Sequence, residues 1–317
     1  MTTLTPSAAR AAGVNTGAAL MTAGGVLLGT LGVFLEQAGQ HPLTAVWFRC
    51  VFGLLALSAW MLVTGRAREL RLAPRALFAA LAAGLLMLGN WALFFAAIER
   101  SSIAVATVVF HVQPFWVMLL GAVFLGEPVR RRQWAAAALA LVGLAFASGL
   151  ASDAGPALGG RFLAGVLMCL GGSFSYALVT LIARGVHGPG PLALAWWQCA
   201  VGALALAWWP VLHGLPAWGA AWGWLAGLGV VHTGLAYVVL YAGMARLSAQ
   251  RIALLQFVYP ASAVLVDALA YGRWLDGPQA GGVLLMGLAL AAAGRADPPV
   301  AGRIRLCGRA PAPGGPR

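Results

Sequence analysis

The sequence predicts an all-α integral membrane protein of ten transmembrane helices, arranged as two inverted five-helix repeats. Three observations carry that expectation. The 317 residues are 61% hydrophobic and 9% charged, with a mean hydropathy of +0.86, whereas a soluble domain carries about 25% charged residues. Apolar runs of about 20 residues, the length that crosses roughly 30 Å of hydrocarbon, recur between clusters of Arg, Pro and Gly. The arginines, finally, fall mainly on alternate connections.

Taken in order, residues 1–16 form a cytoplasmic N-terminal segment with Arg10 and no apparent cleavable leader, because the apolar run that follows is long enough to stay as a span. The expected spans are 17–36, 44–64 after His41-Pro42, 76–98 after Pro74-Arg75, 102–126 and 133–150. A polar connection around Asp153 to Arg161 leads to 162–183, 191–212, 220–243, 250–271 and 279–294. A basic tail rich in Pro and Gly, 295–317, has little to bury and is expected to be disordered. Unpaired backbone groups are excluded from lipid, and alternating ten-residue barrel strands are absent, so the runs are helices.

Arginine placement tests the span number independently of hydropathy. With a cytoplasmic N-terminus, the inner connections hold Arg10, Arg66, Arg68, Arg71, Arg75, Arg130, Arg131, Arg132, Arg184, Arg246 and Arg251, and the tail holds Arg295, Arg303, Arg305, Arg309 and Arg317. Only Arg49, Arg100, Arg161 and Arg273 fall toward the outer side. Both termini are therefore expected in the cytoplasm. Trp60, Trp134, Trp208, Trp209, Trp218, Trp222 and Trp274 stand at span ends, as interfacial belts require.

An offset of 146 residues pairs Arg100 with Arg246, Pro114 with Pro260, Gly126 with Gly272 and Gln133 with Gln279. Each half then holds five spans, residues 17–150 and 162–294. An odd number inverts the second copy, as in alternating-access transporters. The segments HPLTAVWFR (41–49), FLGEPVRRRQW (124–134) and LSAQRIALLQFVYP (247–260) resemble the EamA-type branch of the drug/metabolite transporter superfamily over residues 17–294. The resemblance implies ten spans in two halves and secondary transport of small metabolites. One departure is plain, since Gly272-Arg273 stands where the family pattern often repeats the Gly-Glu of Gly126-Glu127.

Polar groups inside hydrocarbon are costly and face a cavity or a protein partner. His111 and Gln113 precede Pro114 in span four, and Gln256 and Tyr259 precede Pro260 in span nine at matching depth. Proline in a helix frees a carbonyl and loosens the turn, which makes Pro114 and Pro260 candidate kinks or gates. Asn90, Trp91, Ser173, Tyr176 and His232 also lie toward the interior, although a single Ser, Tyr or His can simply bond a neighbouring helix. The expected substrate site is thus His111, Gln113, Asn90, Trp91, Tyr176, His232, Gln256 and Tyr259, a neutral and aromatic set suited to amphipathic solutes such as amino acids. Asp267 and Arg49, both toward the outer side, are expected to form a charge pair that either staples helices or serves a proton or a substrate carboxylate. Glu127 stands at a helix end beside Arg130, Arg131 and Arg132. His111 is the candidate for a coupled proton, imidazole being the side chain that titrates near physiological pH.

Other classes fit less well. With no lysine there is no GxxxxGK[ST] phosphate loop, and the scattered arginines make no nucleic-acid face despite a net charge of +12. Cys50, Cys169, Cys199 and Cys307 are far apart, so no metal, cofactor or disulfide framework is expected. The alternative functions are a lipid flippase and, more remotely, an intramembrane hydrolase using Ser173 of Gly171-Gly172-Ser173 with His111 or His232. The expected partners are a small-molecule substrate and the lipid bilayer of a bacterial inner membrane. The topology is checked by cysteine labelling from outside in a background without native cysteines: Gly155→Cys should react and Arg68→Cys should not, and the reverse pattern would discard it.

Overall fold

The computed structural model describes residues 6–101, 103–148, 159–185, 189–272 and 275–294. Its elements are α1 (Pro6–Gly29), α2 (Leu31–Ala38), α3 (Pro42–Val63), a short 3₁₀ turn (Ala67–Leu70), α4 (Pro74–Ile98), α5 (Ile103–Phe110), α6 (Gln113–Leu125), α7 (Arg131–Ala147) and α8 (Gly160–Arg184). There follow α9 (Pro191–Ala205), α10 (Trp208–His213), α11 (Ala220–Gly229), a π-helical turn (Val230–Leu235), α12 (Ala236–Met244), α13 (Ala249–Leu255), α14 (Val258–Tyr271) and α15 (Gly277–Gly294). No strand occurs among the described residues.

Helix ends follow local rules. Pro42, Pro74 and Pro191 open α3, α4 and α9, where a missing N–H leaves no bond unmade. His41 caps α3 by accepting the Leu43 N–H on Nδ1 at 3.2 Å. Gly126 and Gly272, 146 residues apart, end α6 and α14 in the left-handed conformation at φ +64°, which a side chain rarely adopts.

Among the described residues, eight helical stretches are long and apolar enough to cross a membrane: Gly13–Ala38, Pro42–Val63, Pro74–Ile98, Val105–Leu125, Gly160–Arg184, Pro191–His213, Ala220–Met244 and Ala249–Tyr271. The expected fifth and tenth spans coincide with α7, of 17 residues, and α15, of 18. At 1.5 Å per residue these reach only about 25–27 Å, short of the roughly 30 Å hydrocarbon core. The expected fourth and ninth spans, which carry Pro114 and Pro260, are each interrupted, between α5 and α6 and between α13 and α14. The first helix begins at Pro6, well before residue 17. The connection 153–158, Arg273 and the tail lie outside the described residues.

Large apolar side chains cover the outer surface, with Val63 86%, Phe78 75%, Leu204 78% and Val211 81% exposed. Water would oppose that arrangement; lipid accepts it. Without a hydrophobic drive between helices, association rests on close packing, which small residues permit. The principal neighbours are α7 with α15, α4 with α8 and α9, α1 with α12 and α14, α3 with α9 and α11, and α6 with α8. Gly25 and Gly29, four residues apart, seat α1 on Val258 and Ser262 of α14, and Gly227 of α11 receives Phe34.

The α7 and α15 backbones approach closely at Gly143 and Gly282. A Cβ added at Gly282 would lie 2.4 Å from the Gly143 carbonyl oxygen and 2.5 Å from the Ala147 nitrogen, while one at Gly281 would meet nothing. Gly282→Ala should therefore destabilise the detergent-solubilised protein by about 1–3 kcal/mol, the overpacking cost outweighing any helix-propensity gain. Gly281→Ala should leave the unfolding midpoint unchanged or slightly raised, and equal behaviour of the two variants would contradict the close packing.

Candidate functional site

The two broken helices meet across the interior. In the first break, Pro114 cannot donate to the Phe110 carbonyl, and the chain tightens so that the Val112 N–H bonds the Val109 carbonyl at 3.1 Å. In the second, Pro260 spares the Gln256 carbonyl and the Phe257 N–H bonds the Leu254 carbonyl at 3.1 Å. The breaks bring the His111 ring within 6.3 Å of Phe257 and 6.0 Å of Tyr259, centroid to centroid.

Around them lies a cavity of about 300 Å³, walled by α1 to α8 and α12 to α14. Seven of the eight expected substrate-site residues line it: Asn90, Trp91, His111, Gln113, Tyr176, Gln256 and Tyr259. Asn90 also donates to the Gly172 carbonyl at 2.9 Å and ties α4 to α8. His111 Nδ1 lies 2.6 Å from the Thr107 carbonyl oxygen, one turn back. Gln256 donates to the Thr180 hydroxyl at 3.4 Å, leaving its amide oxygen without a partner, as is the Gln113 amide nitrogen. Pro260 lines the wall; Pro114 does not.

His232 is the expected site residue that the structure places elsewhere. It is buried in the π-helical turn, with Nε2 2.8 Å from the Thr30 hydroxyl and its ring edge-on to Phe34 at 4.5 Å. The bond joins the irregularity between α1 and α2 to the π-helical turn ahead of α12. The structure likewise does not bring Asp267 to Arg49. Asp267 lies one turn before the end of α14 and outside the cavity wall. Arg49 instead lines the cavity, donating from Nε to the Thr233 hydroxyl at 2.9 Å and from Nη2 to the Tyr237 hydroxyl at 3.4 Å, with its guanidinium 4.8 Å from the Trp91 ring centroid.

Sequence reasoning passed over Tyr237, Thr107, Phe94, Phe95 and Phe110, all in the wall. Tyr237 lies in an apolar run with no adjacent proline or charge to mark it. Ser173, the nucleophile of the hydrolase alternative, accepts from the Trp116 indole at 3.2 Å and donates to the Leu170 carbonyl at 2.9 Å, with no histidine bonded to it. Among the described residues no group of three His, Cys, Asp or Glu is placed to hold a metal.

The chain is matched over residues 15–149 and 163–294 by the model of the EamA-like transporter family. An uncharacterized transporter of Bacillus subtilis (strain 168), YxxF, is 26% identical over 274 residues, which is 84% of this chain and 86% of the relative. An uncharacterized transporter of Archaeoglobus fulgidus is 27% identical over 280 residues, 87% of this chain and 96% of the relative. A solved crystal structure superposes with a TM-score of 0.75 at 23% identity, covering 87% of this chain and 96% of the other, a likeness of fold.

A second polar cluster lies at the far end of α6. Glu127 pairs with Arg184, at the end of α8, and its other carboxylate oxygen accepts the Ala249 N–H at 2.9 Å. Arg184 also donates to the Leu247 carbonyl at 2.6 Å. The expected neighbours Arg130, Arg131 and Arg132 are thus not its ion-pair partners. Three chain segments are closed together by one carboxylate, so Glu127→Gln should lower stability by about 2–3 kcal/mol. Thermal unfolding in detergent measures this, and an unchanged midpoint would mean that the cluster holds nothing together.

Proposed function

The chain belongs to the EamA-like transporter family, and from that premise we propose that it is a secondary transporter that exports small amphipathic metabolites, amino acids among them, by alternating access across a bacterial inner membrane. The observation that carries the reading is the meeting of two proline-broken helices, 146 residues apart in register, at one aromatic cavity. The family places the protein in the membrane as a transporter rather than an enzyme. The cavity supplies a compartment for a solute of amino-acid size, with few polar groups to orient it, as small-molecule sites generally do.

Support for two inverted halves comes from how the helices pair. Exchanging each of the first five spans with its counterpart in the second half maps the α4–α8 contact onto α12–α1, and α6–α8 onto α14–α1. It maps α7–α15 and α3–α9 onto themselves. In this reading α7 and α15 are the fifth and tenth spans, a short pair packed back to back by Gly143 and Gly282. The breaks at His111–Val112 and Gln256–Phe257 are the bending points of the two halves. The Glu127–Arg184 cluster closes the cytoplasmic end, both termini lie in the cytoplasm, and His111 carries a coupled proton. Lining side chains do not bond every polar atom they own, and the partnerless amide atoms of Gln113 and Gln256 are the groups a cargo would satisfy.

Growth on toxic amino-acid analogues, with and without the expressed chain, finds the cargo; flux in proteoliposomes then tests the site. His111→Ala and Gln113→Ala should each lower flux about tenfold, the value of one lost buried hydrogen bond to cargo, at unchanged expression and insertion. Normal flux in both variants would move the binding site elsewhere, and movement of lipid analogues with no solute flux would favour a flippase.

A further inference from the structure

Arg49 is 4% exposed, and its position among neutral groups is energetically unusual. Six of the eight acidic residues are described, and none lies within ion-pair distance of it: Glu69 pairs with Arg66 and Glu127 with Arg184, while Glu36, Glu99, Asp267 and Asp276 stand outside the cavity wall. A guanidinium withdrawn from water without a counter-charge costs several kcal/mol, which two hydroxyls and an aromatic face offset only in part. Exchanging a buried ionic group for a well-packed apolar residue is often neutral or stabilising, so helix packing alone gives no reason for the charge.

How the group is held narrows its use. The Thr233 hydroxyl donates to the Leu228 carbonyl at 3.1 Å, five residues back across the π-helical turn, and so presents its oxygen to Arg49 Nε. Thr233 and Tyr237 together engage the side edge of the guanidinium, Nε and Nη2. Both protons of Nη1 and one of Nη2 meet no acceptor among the described residues, and one from each nitrogen points off the end-on edge. That edge is the planar fork that a carboxylate meets with two parallel bonds. Beside it the wall is apolar and aromatic, with Trp91 under the guanidinium and Phe94, Phe95 and Tyr259 along the same cavity. One fixed positive charge neutralises one negative charge, and a second would be left uncompensated in a medium that cannot solvate it.

We infer that Arg49 is the specificity-determining residue of the cavity and that the cargo is a small organic acid with a single carboxylate and an apolar body. The inference rests on the transport reading of this cavity and deepens it: the carboxylate sits end-on to Arg49, Thr233 and Tyr237 fix the guanidinium plane, and the aromatic wall takes the body.

The test uses the full chain in detergent and in proteoliposomes. Hydrocinnamate and 4-phenylbutyrate should raise the thermal unfolding midpoint, whereas hydrocinnamamide and 4-phenylbutyramide, which keep the body and lose the anion, should not. Chloride and inorganic phosphate, bare anions without a body, should also leave it unchanged. Arg49→Met should unfold at or above the wild-type temperature, since it removes an uncompensated charge, and should lose the acid response by on the order of 30-fold in apparent affinity or more. Arg49→Lys, which keeps the charge without the fork, should respond more weakly than wild type and decides the matter if the methionine variant does not fold. Equal stabilisation by acid and amide, equal stabilisation by chloride or phosphate, no response to either acid, or an unaltered acid response in the variants would each overturn the assignment. Flux separates the two readings. Acids that bind through Arg49 but do not cross would leave the anchor standing and remove the transport reading; acid and amide crossing equally, in wild type and variant alike, would do the opposite.

Discussion

A peptide group in hydrocarbon has no water to bond, so each N–H and C=O must find a partner within the protein. Nearly everything in this fold follows from that constraint, including where it is relaxed. The helices are long because interruption is costly, and they are interrupted where the freed groups face other protein or a cavity. Val112 and Phe257 recover shorter-range bonds at the two proline breaks, and the π-helical turn at Val230–Leu235 carries Thr233, whose hydroxyl bonds back to Leu228. All three irregularities lie on or against the walls of one cavity.

The same constraint sets how the helices associate. Lipid tails are as apolar as leucine, so exposed Val63, Phe78 and Val211 have no cause to hide. Close contact supplies the attraction instead, and glycine is placed where backbones must approach: Gly143 against Gly282, and Gly25 and Gly29 against α14. Specific polar ties then orient the packed helices, from Asn90 to Gly172, from His232 to Thr30, and from Glu127 to Arg184 and Ala249. Each joins residues far apart in the chain.

These ties explain why buried polar residues divide into two populations. Asn90 and His232 look alike along the sequence, both being polar residues in apolar runs. One lines the cavity as well as tying helices; the other lies outside the cavity wall and ties its Nε2 to Thr30. Arg49 is the reverse case, since two hydroxyls and a ring hold its guanidinium and no described carboxylate neutralises it.

By itself, the sequence determined that the chain is a helical membrane protein, where most of the helices run, and that polar residues before Pro114 and Pro260 belong together. Those are consequences of run length, backbone chemistry and the offset of 146 residues, all of them properties read along one dimension. Seven of the eight residues expected to bind substrate do line the cavity, because proline and polar residues at one depth leave a visible mark. What only the tertiary structure decided was azimuth and partner: which way His232 faces around its helix, that Tyr237 joins the wall, that Glu127 meets Arg184 rather than its sequence neighbours, and that Arg49 and Asp267 stay apart. Depth in the bilayer follows from counting residues at a nearly constant rise. Rotation does not, because a π-helical turn or a proline break resets the helical phase, and a partner on another helix is chosen by packing that no stretch of the chain encodes alone.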